Sequence, residues 1–139
     1  WRYYFQYSPV ESLINRRGNL ARPQLYRAVD QMSAFIKEKT NPHDYIYVWG
    51  LWPEIYYLCQ RYSSSKYAFF ASRGIMIKWF KNLVQEQVLL DTIRNKPKYF
   101  IIDYYFADLI SSDLNNYLKE NYVYDTQFAG CQVLARKPR

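Results

Sequence analysis

The sequence predicts an α/β fold, a three-layer sandwich with a mostly parallel sheet and a C-terminal β-hairpin. The first observation behind this prediction is segment 44–58, where an almost continuous apolar run precedes a turn and a helix start. The second is a similar apolar run at 98–105, introduced by Pro97. The third is the helical sequence between the two runs, because strands that alternate with helices are typical of parallel sheets.

Segment 44–58 carries the clearest signals of a β-turn-α unit. Ile46 and Val48 lie among aromatic residues in a run that suits a strand covered on both faces. Gly50 allows a sharp turn, and Pro53 suits the first helical position, where no backbone N–H is needed. Glu54 then places a carboxylate at the positive end of the helix. We therefore expect a strand, a tight turn and a helix in this order.

The other elements follow from apolar spacing and from turn residues. Apolar residues recur at helical spacing in 74–95, either as one helix or as two with a break near Gln85. The right-handed crossover rule places a strand at 66–70 beside the first strand, and the strand at Tyr99 on its other side. The remaining predicted elements are a helix over 23–39, a helix that ends near Arg61, a helix over 107–120, and a hairpin with strands 122–128 and 131–136 around Ala129-Gly130.

The chain has 139 residues, which is the size of one domain. We expect a lead-in arm at 1–20 and a single α/β domain at 21–139. Half of the residues are hydrophobic, but no apolar run approaches the roughly 20 residues of a membrane-spanning helix. Because the chain begins at Trp1 and not at a methionine, we expect a segment of a longer protein.

Sixteen tyrosines and four tryptophans make the chain unusually aromatic. They either fill amphipathic positions, with the ring in the core and the polar group in water, or form a surface for sugar rings or lipid headgroups. The opening segment 1–7 favours the second reading, because Trp and Tyr beside Arg are typical of the membrane–water interface. The net charge of +7 favours an anionic neighbour, but the basic residues are scattered and no nucleic-acid-binding signature occurs, so we expect no nucleic acid partner.

The sequence offers little for a cofactor, a metal ion or a nucleophilic catalyst. Cys59 and Cys131 match no metal-ligand spacing, and they are either buried thiols or a disulfide. The chain has four glycines, and neither the dinucleotide-binding fingerprint nor the P-loop motif occurs. The single histidine, His43, precedes the first strand and is expected at the amino ends of the strands, away from a site at their carboxyl ends. We expect no cofactor, no metal and no catalytic residue in this chain.

The expected site lies beyond the carboxyl ends of the parallel strands, where the strand order reverses. We call this place the crest. Glu54 and Asp103 would meet there, either as an acid/base pair or in structural roles at a helix dipole and as a cap. The residues expected at the crest are Trp49, Gly50, Trp52, Glu54, Asp103 and Tyr104.

A family resemblance rests on the order of several short motifs. They are Phe35–Thr40, Asp44–Gly50, Pro53–Tyr57, Arg61, Ser65–Tyr67 and Lys96–Asp103. In this order they resemble the soluble C-terminal domain of polytopic membrane glycosyltransferases of the GT-C type. Those enzymes use dolichyl- or undecaprenyl-phosphate-linked sugars and include protein mannosyltransferases and aminoarabinose transferases. The resemblance covers most of residues 25–135.

The resemblance implies an accessory domain of a membrane glycosyltransferase, on the periplasmic or extracellular face of the cell membrane. Its partners would be the transmembrane part of the same chain, a lipid-linked sugar phosphate or glycan acceptor, and the membrane surface. Aromatic rings would stack on sugar faces, and Arg61 or Lys66 would neutralise phosphate. The ligand-binding residues of this hypothesis are Trp49, Trp52, Glu54, Arg61, Lys66, Tyr67 and Asp103.

Two other hypotheses compete with this one. The first is a small free-standing α/β enzyme that acts through Glu54 and Asp103. The second is a protein-interaction module whose aromatic arm docks on a partner or on the rest of its own chain. It predicts a large exposed apolar patch around residues 1–20.

Overall fold

The structure is a computed structural model that describes residues 21–50, 52–68 and 78–139. The lead-in arm predicted at 1–20 therefore lies outside the described residues. A short 3-10 helix at Tyr104–Leu109 follows the third strand. The other elements are α1 (Ala21–Lys39), β1 (Tyr45–Trp49), α2 (Glu54–Cys59), β2 (Tyr62–Ser63), α3 (Lys78–Asn95), β3 (Tyr99–Asp103), α4 (Ser112–Asn121), β4 (Tyr122–Phe128) and β5 (Cys131–Arg136).

The strands form one mixed five-stranded sheet in the order β2-β1-β3-β5-β4. β1 pairs in parallel with β2 and with β3, whereas β5 pairs antiparallel with β3 and with β4. The fold is therefore α/β, but the prediction of a mostly parallel sheet is wrong. The physical reason is that the C-terminal hairpin does not stand apart from the sheet. Its second strand inserts beside β3 and brings an antiparallel pairing on each of its edges.

The prediction that the strands at Tyr45 and Tyr99 lie side by side and point the same way is confirmed. Their register runs from Ile46 opposite Tyr99 to Trp49 opposite Ile102. β2 lies on the other side of β1, as expected, but it is formed by Tyr62–Ser63 and not by 66–70. The chain pairs with β1 directly after α2, and residues 66–68 are not in a strand. Residues 69 and 70 lie outside the described part.

The helices differ from their predicted bounds where local caps decide the boundary. α3 runs through Gln85 without a break. The helix predicted at 107–120 is divided, because the Asp103 carboxylate caps the 3-10 helix and the Ser111 hydroxyl caps α4 by accepting from Leu114 N at 3.3 Å. α2 ends at Cys59, before the predicted end near Arg61, because Gln60 adopts a left-handed conformation. None of the helices in the described segments combines the length and apolarity that crossing a membrane requires.

The alternation of side chains along the strands divides the buried residues into two clusters. Ile46 and Val48 of β1 share one cluster with residues of α1 and α2, and the neighbouring Tyr47 and Trp49 share the other with residues of α3 and α4. Both clusters also contain residues of β3 and β5. The last four of the five β1 side chains are fully buried, which explains the continuous apolar run in this strand.

Candidate functional site

An apolar cavity of about 300 Å³ lies at the carboxyl end of β3, beside the turn that follows β1. This is the crest at which the sequence predicted a site. Helix α1 supplies one wall, the start of the 3-10 helix a second, and the hairpin turn between β4 and β5 a third. The described lining residues are Ala28, Val29, Met32, Trp52, Asp103, Tyr105, Phe106, Phe128, Ala129, Gly130 and Cys131.

Asp103 is the only Asp, Glu, Lys, Arg or His among the described residues that line the cavity. It is the last residue of β3 and is 7% exposed. Its Oδ2 accepts a hydrogen bond from Trp52 Nε1 at 2.7 Å, and its Oδ1 accepts one from the backbone N of Tyr105 at 3.0 Å. Burial raises the pKa of the Asp103 carboxyl above its ordinary value, and these two hydrogen bonds oppose the rise without cancelling it. The cavity therefore holds one buried carboxyl without a cationic partner among its described walls.

Gly50 is required here by a close approach and not by its backbone angles. A Cβ added at Gly50 would lie 2.6 Å from Asp103 Cβ and 3.2 Å from Asp103 Oδ2. Asp103 Cβ is attached directly to the β3 backbone, so it cannot move aside as the end of a long side chain can. Because position 50 has no side chain, the chain at the end of β1 can lie directly against Asp103 at the end of β3.

The hairpin turn is held against the start of the 3-10 helix. Tyr104 N donates a hydrogen bond to Gly130 O at 2.7 Å, and Cys131 pairs in register with Asp103. Burial raises the pKa of the Cys131 thiol well above its ordinary value, and the neighbouring Asp103 charge adds to this effect. The thiol is therefore a neutral, apolar part of the cavity wall.

The structure brings together two of the seven predicted ligand-binding residues, Trp52 and Asp103. Trp49 is fully buried, and its Nε1 donates to Phe106 O at 2.9 Å. Glu54 is exposed in the first turn of α2 and is not among the residues that line the cavity. Lys66 is exposed, with its Nζ 5.2 Å from the ring centre of Tyr67. Tyr67 O accepts a hydrogen bond from the Tyr47 hydroxyl at 2.7 Å.

The seventh residue, Arg61, is 7% exposed and donates five hydrogen bonds within the fold. Its Nε donates to Thr40 Oγ1, its Nη1 to the carbonyl oxygens of Cys59 and Gln60, and its Nη2 to those of Lys37 and Thr40. The acceptors lie at the carboxyl ends of α1 and α2, where a positive charge is favourable. Whether Arg61 or the other four residues away from the cavity bind a ligand is untested by this geometry and stays a prediction.

Sequence reasoning missed most of the cavity wall. Val29 and Met32 belong to the helix predicted over 23–39, and Phe128 and Gly130 belong to the predicted hairpin. The signal that could have added the hairpin is its turn, because a β5 strand beside β3 brings that turn to the carboxyl end of β3. Without the strand order, nothing in the sequence places it there.

The described residues contain no group of three or more His, Cys, Asp or Glu side chains that could hold a metal ion. Cys59 and Cys131 are free and buried. The open choice between buried thiols and a disulfide is therefore decided in favour of thiols.

Comparison with known proteins gave one family. The family model described as "Putative competence-induced protein Ccs4 C-terminal domain" matches residues 26–133. No curated protein and no solved structure matches the chain. The expected membership of the GT-C glycosyltransferases is therefore wrong, and so is the function expected from it, an accessory domain of a membrane glycosyltransferase. The motifs behind that expectation describe strands, turns and helix starts, which unrelated α/β families share. The expected extracytoplasmic location is untested and stays a prediction.

Proposed function

Since the chain belongs to the Ccs4 C-terminal domain family, whose description names no ligand, we propose a function from the cavity: this domain binds a small apolar amine. The apolar part of the ligand fills the cavity at the crest, and its ammonium group donates to the Asp103 carboxylate. The observation that carries the proposal is the buried carboxyl of Asp103 in walls that are otherwise apolar or uncharged.

The charge of the ligand follows from the surroundings of Asp103. Trp52 Nε1 and Tyr105 N each occupy one lone pair of the carboxylate, and further lone pairs remain to accept from a ligand. A buried carboxylate without a cation is unfavourable, and burial accordingly raises its pKa. An ammonium group would remove this cost, whereas a second carboxylate would add repulsion.

The size of the ligand follows from the volume of the cavity. The cavity of about 300 Å³ is twice the roughly 150 Å³ cavity that accommodates one benzene ring. It therefore suits a fused two-ring group or a branched chain of similar size. Such a group would contact Met32, Phe106 and Phe128, which supply most of the large apolar side chains of the wall.

The test uses three probes of one shape that differ in charge: tryptamine, 3-ethylindole and indole-3-propionate. At neutral pH the amine should bind at least about ten-fold more tightly than the carboxylate, because hydrogen bonds to charged groups contribute about 1.5–3 kcal/mol. Isothermal titration calorimetry with the 139-residue chain measures the order of affinities. Equal affinity for the amine and the carboxylate would contradict the proposal.

Two variants test the roles of the wall residues. Asp103→Asn should abolish the preference for the amine, whereas Asp30→Asn, which removes an exposed carboxylate on α1, should leave it unchanged. Ala28→Phe, which fills the cavity from α1, should weaken binding of all three probes. Circular dichroism confirms that each variant is folded before its affinities are compared.

We also propose that the helices and the sheet form a three-layer sandwich, with helices on both faces of the sheet. The two core clusters support it, because α1 and α2 share one cluster with the sheet, and α3 and α4 share the other. An experimental structure with all four helices on one face of the sheet would contradict this arrangement.

A further inference from the structure

The end of the sheet opposite the cavity carries nine of the twelve Lys and Arg residues whose side chains the structure describes. We call it the basic end and define it by segments 37–44, 94–98, 119–122 and 136–139. Helices α1, α3 and α4 end there, β1, β3 and β4 begin there, and β5 ends there. Backbone hydrogen bonds join the segments: Lys98 N donates to Tyr45 O, Arg136 N to Lys98 O, and Lys137 N to Asn121 O, at 2.8, 3.0 and 2.9 Å.

The charge of the domain is divided between this end and the remainder. The four segments of the basic end contain nine Lys and Arg residues but three Asp and Glu residues. In the other segments with described side chains, at 27–36, 45–50, 52–68, 82–93, 99–118 and 123–135, the balance is reversed, with three Lys and Arg residues against eight Asp and Glu residues. Folding therefore separates charges that are scattered along the sequence.

Local interactions do not account for the positive charge at this end. Eight of its nine Lys and Arg residues are exposed. An ion pair joins Lys98 Nζ to Asp44 Oδ2 at 3.5 Å, and Lys137 Nζ donates to the carbonyl oxygens of Lys119 and Glu120. Each of the three helix ends carries only about −0.5 elementary charge. These groups offset a minor part of the excess.

Exposed tyrosines and a leucine lie beside the basic end. Tyr45 and Tyr62 pair at the start of β1 and β2 and are 39% and 74% exposed. Tyr57 and Leu58, in the last turn of α2, are 84% and 39% exposed. A positive surface bordered by exposed tyrosines has the composition of a protein surface at a membrane–water interface.

We propose that the basic end binds the surface of a bilayer that contains anionic lipids. Six of its nine Lys and Arg residues are lysines, which interact with anionic surfaces as point charges. The charges are spread over the end of a sheet and three helices, and such a broad distribution suits the extended surface of a bilayer. The proposal does not depend on the cavity, which lies at the other end.

The test measures co-sedimentation of the 139-residue chain with vesicles of phosphatidylcholine, with and without about one-third phosphatidylserine. Binding should require phosphatidylserine. It should be strong at about 0.1 M salt and lost near 1 M, where the Debye length falls from about 10 Å to about 3 Å. Equal binding to neutral vesicles, or binding that does not respond to salt, would overturn the proposal.

A matched pair of double variants locates the surface, since each removes two positive charges. Lys39→Gln with Lys96→Gln changes exposed residues of the basic end and should weaken binding about five-fold per lysine, or about 25-fold. Arg27→Gln with Lys66→Gln changes exposed residues elsewhere and should weaken it by no more than about two-fold. Equal loss in both variants would show that net charge alone is responsible, and tighter binding to a DNA duplex than to the vesicles would assign the surface to nucleic acid. Either result overturns the proposal.

Discussion

Asp103 connects three parts of the molecule through one side chain. It ends β3, its Oδ1 accepts from Tyr105 N at the start of the 3-10 helix, and its Oδ2 accepts from Trp52 Nε1 in the turn after β1. A carboxylate in this place is costly because it is buried, and two hydrogen bonds to one side chain lower that cost. The residue that caps the 3-10 helix is therefore also the polar group of the cavity.

The Asp103→Asn variant should change how stability depends on pH. The pKa of Asp103 in the folded protein is raised above its ordinary 3.8. The contribution of this carboxyl group to the stability of the wild type is therefore fully present below pH 3.8 and is lost as the pH rises through the pKa of the folded protein. The stability of the wild type relative to Asp103→Asn should therefore decrease as pH rises from about 4 to about 7. Urea unfolding of both proteins across this range measures the difference. A difference that grows with pH would mean that the folded protein stabilises the carboxylate.

Gly50→Ala should destabilise the fold at the end of β1, beside the cavity. The added methyl group would meet Asp103 Cβ at 2.6 Å, and overpacking of this kind costs about 1–3 kcal/mol. Thermal unfolding measures the loss. A variant as stable as the wild type would show that the end of β1 can move away from β3 at little cost.

At the residue scale, the sequence predicted that Trp52 and Asp103 lie at the crest but not that they are joined there. Trp52 and Asp103 were both expected at the crest, because each follows or ends a parallel strand. Their hydrogen bond joins residues 51 positions apart, and local pattern carries no information on such a contact. The expectation that Arg61 neutralises phosphate stays a prediction, and the bonds of this side chain to the carboxyl ends of two helices could not be read from the sequence.

At the element scale, Arg61 holds the carboxyl ends of two helices together. Arg61→Lys should destabilise the protein by about 2–3 kcal/mol. Lysine keeps the positive charge, but its three N–H donors cannot replace the five hydrogen bonds that Arg61 donates. Chemical denaturation measures this loss, with the exposed Arg27→Lys on α1 as the control. Equal stability of the two variants would mean that water replaces the missing donors.

The carboxyl end of α2 should be stabilised by a glycine. Gln60 has φ 55° and ψ 49°, a left-handed conformation that costs a residue with Cβ about 1–2 kcal/mol. Gln60→Gly should raise the free energy of unfolding by about 0.5–1 kcal/mol, since added freedom of the unfolded chain offsets part of the gain. Thermal unfolding tests this expectation, and a lower melting temperature would contradict it.

The sequence predicted some elements well because their signals are local. The hairpin strands 122–128 and 131–136 have the predicted bounds, since the turn residues and the alternation lie within one short segment. β2 was placed several residues too late, because two residues are too few to give a periodic pattern. The prediction of a mostly parallel sheet is wrong, because the antiparallel position of β5 beside β3 depends on long-range packing.

At the scale of the whole molecule, the two cysteines report on the integrity of the core. Cys59 and Cys131 are free, 0% and 5% exposed, and burial raises the pKa of both thiols. Neither should react with Ellman's reagent in the native protein, and both should react after unfolding in guanidinium chloride. One fast-reacting thiol in the native protein would contradict this packing, and no reactive thiol after unfolding would indicate a disulfide.

The whole domain has two different ends, and only one of them could be inferred from the order of elements. The crest follows from parallel strands, because ligands bind beyond their carboxyl ends. The basic end could not be predicted, because its charged residues lie in four separate segments and a count along the sequence shows them as scattered. The same limit explains the wrong family expectation, since motifs of strands and turns describe an architecture and not a family.

The most direct test of the central claim, that Asp103 in the cavity receives an amine, is the NMR signal of the Trp52 indole N–H. This group donates to Asp103 Oδ2, so it reports on the carboxylate that the amine would contact. Titration with tryptamine should shift the signal, which Trp52→Phe identifies, while indole-3-propionate at the same sub-saturating concentration should shift it much less. In Asp103→Asn the two probes should no longer differ in this way. A Trp52 signal that does not move with tryptamine, or that moves equally with both probes, would contradict the account.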